Sequence, residues 1–195
     1  MHLIIYGPEG SGKGTQAALL SEKLKVPVIT SGDLVRKKAT ERSKLGALCK
    51  SALTQGHYVP DEVMFTLWKE LLSKSKSKRG FILDGFPRSI SQAEFLLSTF
   101  DKLNLKIDQF IYLKLSDEEA RIRLLKRKRK LFKGSKISHD TPERINERLK
   151  VFREKEAPLV NFFKKKNLVL EFDANKTVNE VFGSIIKKFS KVTNL

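Results

Sequence analysis

The chain has 195 residues, 40% of them hydrophobic and 31% charged, enough to bury the core of one domain with inserted lobes or of two small domains. Lys and Arg number 39 against 22 acids, a net charge of +17, and the single Cys49 excludes an internal disulfide and any cysteine-built zinc site. No stretch approaches the apolar length of a membrane span, and Met1-His2-Leu3 runs straight into a strand pattern with no signal peptide ahead, so a cytoplasmic location is expected.

In chain order, a first apolar run at residues 3–6 meets Gly7-Pro8-Glu9-Gly10-Ser11-Gly12-Lys13-Gly14-Thr15 and then a helical pattern. That context reads as a phosphate-binding loop. Four glycines let backbone N–H groups turn inward around an anion, and the helix that follows aims its positive end at the same point. Lys13 adds a mobile cation for β- and γ-phosphates; the strict pattern asks for a hydroxyl directly after the lysine, but Gly14 intervenes and the hydroxyl belongs to Thr15.

A second run at 28–29 leads into residues 30–59, which are polar and helical without a strand and read as an insertion. Within Ser31-Gly32-Asp33-Leu34-Val35-Arg36, Asp33 suits either a helix cap or a site acid, and Arg36 either a solvated cation or a phosphate ligand. Val63, Leu67 and Leu71 predict a helix over 61–73. The third run, 81–83, ends in Asp84, then turns on Gly85 and Pro87 to present Arg88. An aspartate at a strand end facing a phosphate loop is where a magnesium shell is usually anchored, and Arg88 would reach phosphates from the opposite side. Away from such a loop the two would be a turn residue and a surface cation.

After the fourth run, 110–113, Arg123 and Arg127 stand four apart, as do Arg144 and Arg148, so each pair shares a helix face. Four guanidiniums flanking a basic insertion at 128–140 suit a clamp on a triphosphate, because Arg binds phosphate oxygens bidentately; alone, such pairs decorate surfaces. Lys126-Arg127-Lys128-Arg129-Lys130 reads as a solvated helix end or, alternatively, a nucleic-acid or targeting signal. A helix from Thr141 aligns Ile145, Leu149 and Phe152, and Pro158 breaks it or starts another. A fifth run at 169–172 precedes a last helix striped by Val178, Val181, Phe182, Ile185, Ile186 and Phe189. Runs this apolar, each beside a helix, predict an α/β fold: a five-stranded parallel sheet flanked by helices.

Together these residues resemble the adenylate kinases and their nucleoside monophosphate kinase relatives from end to end. The resemblance rests on GPEGSGKGTQ at 7–16, SGDLVR at 31–36, Gly56-His57-Tyr58-Val59-Pro60-Asp61, GFILDGFPRSISQAE at 80–94, RLLKR at 123–127, and Asp140 to Arg148 ahead of Ala157-Pro158-Leu159. It implies a P-loop nucleoside kinase fold with a core (1–29, 60–127, 141–195), a monophosphate-binding lobe (30–59) and a short, zinc-free lid (128–140). It also implies a monomer that converts ATP and AMP to two ADP, reversibly and with Mg2+. By position, Gly10, Ser11, Gly12, Lys13, Gly14 and Thr15 would hold ATP phosphates and Arg123 its base. Arg127 and Arg148 would neutralise the transferring phosphoryl. Arg36 and Arg88 would hold the AMP phosphate, with Ser31, His57, Val59, Gly85 and Gln92 around the nucleoside. Asp84, with Asp33, would order magnesium-bound water.

Base choice rests on Gln92, four residues after Arg88, whose amide can accept from adenine N6–H and donate to N1, and on Ser31 beside it. Relatives directed to UMP or CMP resemble one another in carrying Asn and Ala there, so a UMP/CMP kinase is the alternative; a nucleic-acid-binding protein on a nucleotide-binding core, suggested by the charge, comes third. Two features depart from the family pattern. Glu9 puts a carboxylate beside the phosphate site, which costs affinity unless it points outward. A lid arginine is missing, with Lys136 roughly in its place and Arg144 the other candidate to compensate.

Overall fold

The five apolar runs form five parallel strands: β1 (His2–Tyr6), β2 (Val28–Thr30), β3 (Phe81–Asp84), β4 (Gln109–Lys114) and β5 (Val169–Asp173). In the computed structural model, which describes residues 1–55, 57–74, 80–127 and 140–193, they lie in the order β2-β3-β1-β4-β5. All five residues of the central strand β1 are buried, because both faces of the sheet are covered. Its side chains alternate. Ile4 and Tyr6 join one cluster with Trp68, Phe86, Phe110 and Phe163, while Leu3 and Ile5 join another with Leu20, Ile111, Leu149 and Ile185. Two cores thus sandwich one sheet, as uninterrupted apolar runs require.

The helices are α1 (Lys13–Leu24), α2 (Ser31–Lys38), α3 (Lys44–Gln55), α4 (Asp61–Lys74), α5 (Ile90–Lys102), α6 (Asp117–Lys126), α7 (Pro142–Lys164) and α8 (Val178–Thr193). Among the described residues none is long and apolar enough to cross a membrane. The insertion at 30–59 is α2 and α3. Thr30, not Asp33, caps α2: its hydroxyl oxygen accepts the Asp33 N–H at 3.0 Å, leaving Asp33 in the first turn, where its carboxylate complements the dipole. Ser89, Ser116 and Thr141 cap α5, α6 and α7 in the same way.

Pro158 neither breaks nor starts a helix. It lies inside α7, which is 23 residues long and continuous. Proline removes one intrahelical hydrogen bond and crowds the preceding turn. The adjoining Leu159, Val160 and Phe163 are buried against the sheet, and that burial keeps the helix in register across the defect. The lid at 128–140 and Lys136 lie outside the described residues, apart from Asp140.

Helices α6 and α7 are joined side to side by polar forks. Arg121 Nε donates to Asn146 Oδ1 at 2.7 Å. Arg153 spans from α7 to Asp117 Oδ1 (2.7 Å), the Leu115 carbonyl (2.6 Å) and Glu156 (2.7 Å), and the Tyr112 hydroxyl donates to Glu156.

Candidate active site

The chain leaves β1 through the glycine loop at the carboxyl end of the sheet, the place where parallel α/β sheets bind ligands. Gly10 and Gly12 take φ of 87° and 82°, left-handed values that let consecutive N–H groups face one side of the loop. Gly12 is the N-cap of α1 and supplies no side-chain cap, so the first-turn amides keep their donors for an anion. The Ser11 hydroxyl is buried without a hydrogen-bond partner among the described residues. Lys13 Nζ folds back over the loop and donates to the Gly7 and Pro8 carbonyls, both at 2.8 Å. Burial lowers its pKa to about 8, against the opposing pull of Asp84 and Glu9.

Glu9 does not point outward. Its carboxylate accepts from Arg148 Nη1 at 2.5 Å, lies 3.6 Å from Arg127 Nη2, and accepts the Tyr58 hydroxyl at 3.3 Å. Burial alone would raise its pKa, but Arg148, then Lys13, Arg88 and Arg127, hold it below the usual carboxylate value. One anion therefore already sits where four cations converge. Asp140 completes the arrangement: it accepts both Nε and Nη2 of Arg127, at 3.1 and 3.0 Å, and Nη2 of Arg148 at 3.0 Å. Arg127, at the end of α6, and Arg148, on α7, are thus brought together on one carboxylate. Arg144 gives its backbone N–H to the Thr141 cap at 3.4 Å.

Arg123 reaches across to the loop. Its Nε donates to Glu119 at 2.7 Å, while Nη1 approaches the Gly10 carbonyl at 3.4 Å and Nη2 the Asn175 carbonyl at 3.5 Å. The guanidinium thereby forms a flat floor between the loop and the turn after β5.

On the other side, Asp84 ends β3 next to β1, and Arg88 Nε donates to the Gly85 carbonyl at 2.7 Å. The Arg88 guanidinium lies 4.8 Å over the Tyr58 ring. Ser31 is buried and its hydroxyl donates to the same Gly85 carbonyl at 2.7 Å. Gln92 is 7% exposed at the start of α5, bonded to the Arg88 backbone and to Asp61. Exposed His57 and half-buried Val59 lie on the segment between α3 and α4. Arg36 stands apart on α2; among the described residues its hydrogen-bond partner is Asp33, at 2.7 Å. The structure therefore gathers Lys13, Arg88, Arg127 and Arg148 around Glu9 and leaves Arg36 outside that group.

The Asp84 carboxylate is largely buried, its pKa raised by that burial against the pull of Lys13 and Arg88, and it makes no hydrogen bond among the described residues. It faces the start of α1, with Oδ2 3.7 Å from where a side chain on Gly14 would begin. An unbonded carboxylate aimed at a phosphate loop fits a water-bridged divalent cation. No cluster of three or more potential metal ligands occurs among the described residues, so a cation here would rely on substrate oxygens and water for most of its shell.

Sequence reasoning did not single out Tyr58, Asp61 or Asp140 for the site, and it left the direction of Glu9 open. A Tyr and an Asp within three positions of the lobe's end carry no periodic signal; their partners lie 31 to 49 residues away.

Known proteins are similar to this chain in sequence. The family model described as adenylate kinase matches residues 5–168. An adenylate kinase of Thermobifida fusca is 37% identical over 181 residues, covering 93% of this chain and 94% of that protein. One from Clostridium botulinum is 34% identical over 208 residues (95% of this chain, 96% of the relative), and one from Methanosarcina barkeri is 33% identical over 215 residues (97% and 100%).

Proposed function

Because the chain belongs to the adenylate kinase family and is an ATP:AMP phosphotransferase, we propose a specific division of labour among the side chains of its site. The reaction moves the γ-phosphoryl of ATP to an AMP phosphate oxygen. One P–O bond forms there as the bond to the β-phosphate oxygen breaks, giving two ADP. Such transfers need alignment and charge neutralisation more than a nucleophilic side chain.

The amides of residues 10–15 and Lys13 hold the ATP phosphates, and Arg123 lies under the base. Arg127 and Arg148 leave Glu9 and Asp140 in part to take the transferring oxygens, helped by Arg88. Arg88 and Arg36 hold the AMP phosphate, and Ser31, His57, Val59, Gly85 and Gln92 line the nucleoside pocket. Mg2+ on the ATP phosphates would supply further neutralisation of the developing charge. Asp84, with Asp33, would anchor its water shell. Residues 30–59 act as the monophosphate lobe and 128–140 as the lid. The protein works as a cytoplasmic monomer, and its net charge of +17 speeds encounter with polyanionic nucleotides rather than marking nucleic-acid binding.

The observation that carries this reading is the Glu9 carboxylate held among Arg148, Arg127, Lys13 and Arg88, an internal anion at the point where a phosphoryl group would sit. A coupled assay of ATP with AMP, UMP, CMP and GMP tests it. AMP is the expected acceptor; a preference for UMP or CMP would reassign the pocket.

A further inference from the structure

Gln92 is held at both ends of its amide. Oε1 accepts the Arg88 backbone N–H at 2.8 Å, and Nε2 donates to Asp61 Oδ1 at 2.7 Å. The second Asp61 oxygen accepts the Ser91 hydroxyl at 2.9 Å, which fixes the carboxylate itself. A backbone N–H only donates and a carboxylate only accepts, so the two anchors permit one orientation of the amide and exclude its flip. Each anchor uses one of two available positions. One N–H and one oxygen lone pair remain for a ligand.

A purine base held by its ribose phosphate presents positions 1 and 6 in a fixed order. A 6-amino purine accepts at N1 and donates at position 6; a 6-oxo purine donates at N1 and accepts at position 6. An amide free to rotate by half a turn serves either base equally. A locked amide serves one. We infer that Asp61 is the positioning residue that makes the enzyme discriminate 6-amino from 6-oxo purine monophosphates, acting through Gln92. The inference rests on the reading above that the monophosphate base sits against Gln92.

The test compares kcat/KM for AMP and IMP, which differ at positions 1 and 6 alone, in the wild type and in Asp61→Asn. Asparagine keeps the size of the side chain but offers an NH2 or an oxygen, so it meets either orientation of Gln92, and the flip then costs one mismatched pair, at the Arg88 N–H, instead of two. The IMP-to-AMP ratio of kcat/KM is expected to rise about tenfold or more, the scale set by one mismatched hydrogen-bonded pair. A purely structural role at the start of α4 would lower both substrates alike and leave the ratio unmoved. Asp61→Ala removes the anchor outright and reads the same ratio should the Asn variant not fold. Gln92→Leu separates the two levels of the argument. If it cuts AMP turnover while the Asp61→Asn ratio stays at the wild-type value, the lock is refuted and the base position stands. If it leaves AMP kcat/KM intact, the base does not face Gln92 and both are refuted.

Discussion

Lys13 offers a measurable coupling between protons and ATP. In the free protein its ammonium is buried against the Gly7 and Pro8 carbonyls, and burial brings its pKa to about 8. The unfolded chain would hold the same proton to about pH 10.4, so the folded state binds fewer protons between these values and stability gains as pH rises through that window. ATP reverses the local balance. Several phosphate charges in contact with the ammonium favour its protonated form and push the pKa back up. Above pH 8, ATP must therefore bind together with a proton, and its apparent Kd rises by up to about tenfold per pH unit. Between pH 7 and pH 9 the expected weakening is about tenfold, from the fall in the protonated fraction alone. Calorimetric titration at pH 8, in buffers of different ionisation enthalpy, should register uptake of about half a proton per ATP. Lys13→Arg, with a guanidinium that does not titrate, should bind with a flat pH profile over this range. A flat profile in the wild type, with no proton uptake, would refute the lowered pKa of Lys13 and the coupling drawn from it.

Removing the internal anion should help substrate. Glu9→Gln deletes the charge that ATP must displace from Arg148 and Arg127; allowing for its partial exposure, ATP affinity should rise about tenfold, read by equilibrium titration, with a steeper salt dependence. In the core, Trp68 is fully buried and stacked on Phe86 with ring centroids 4.8 Å apart, so Trp68→Ala should cost about 3–5 kcal/mol in denaturant unfolding. Trp68→Phe should cost much less than Trp68→Ala, because the indole N–H it removes has no hydrogen-bond partner among the described residues. Arg153→Ala strips a partly exposed fork from Asp117 and Glu156 and should lower stability by about 1–2 kcal/mol, seen as an earlier thermal midpoint.

The elements legible in the sequence are those whose cause is local. An apolar run covered on both faces, a glycine loop ahead of a helix, and an acid closing a strand depend on neighbours in the chain, and β1, the loop and Asp84 stand where residues 3–15 and 81–84 put them. The direction of Glu9 was not legible because Arg148, its partner, comes from 139 residues further on, on a different helix. Asp61 and Gln92 are 31 residues apart, one opening α4 and the other entering α5. Pro158 misled for a related reason: proline's cost is visible locally, whereas the burial of Leu159, Val160 and Phe163 that outweighs it is tertiary. Thr30 rather than Asp33 as cap is a smaller version of the same lesson, since both residue types are good caps and only the chain's exit from β2 decides between them.

The forks between α6 and α7 constrain how these two helices can move. Arg153 grips Asp117 and the Leu115 carbonyl, Arg121 grips Asn146, and Asp140 ties Arg127 to Arg148. Changing the gap between these helices would break several charge-assisted bonds at once. Across the cleft, exposed Tyr58 touches Glu9 through one bond of 3.3 Å. Helices tied by such forks shift as a single block, so any displacement of α6 is handed on to α7.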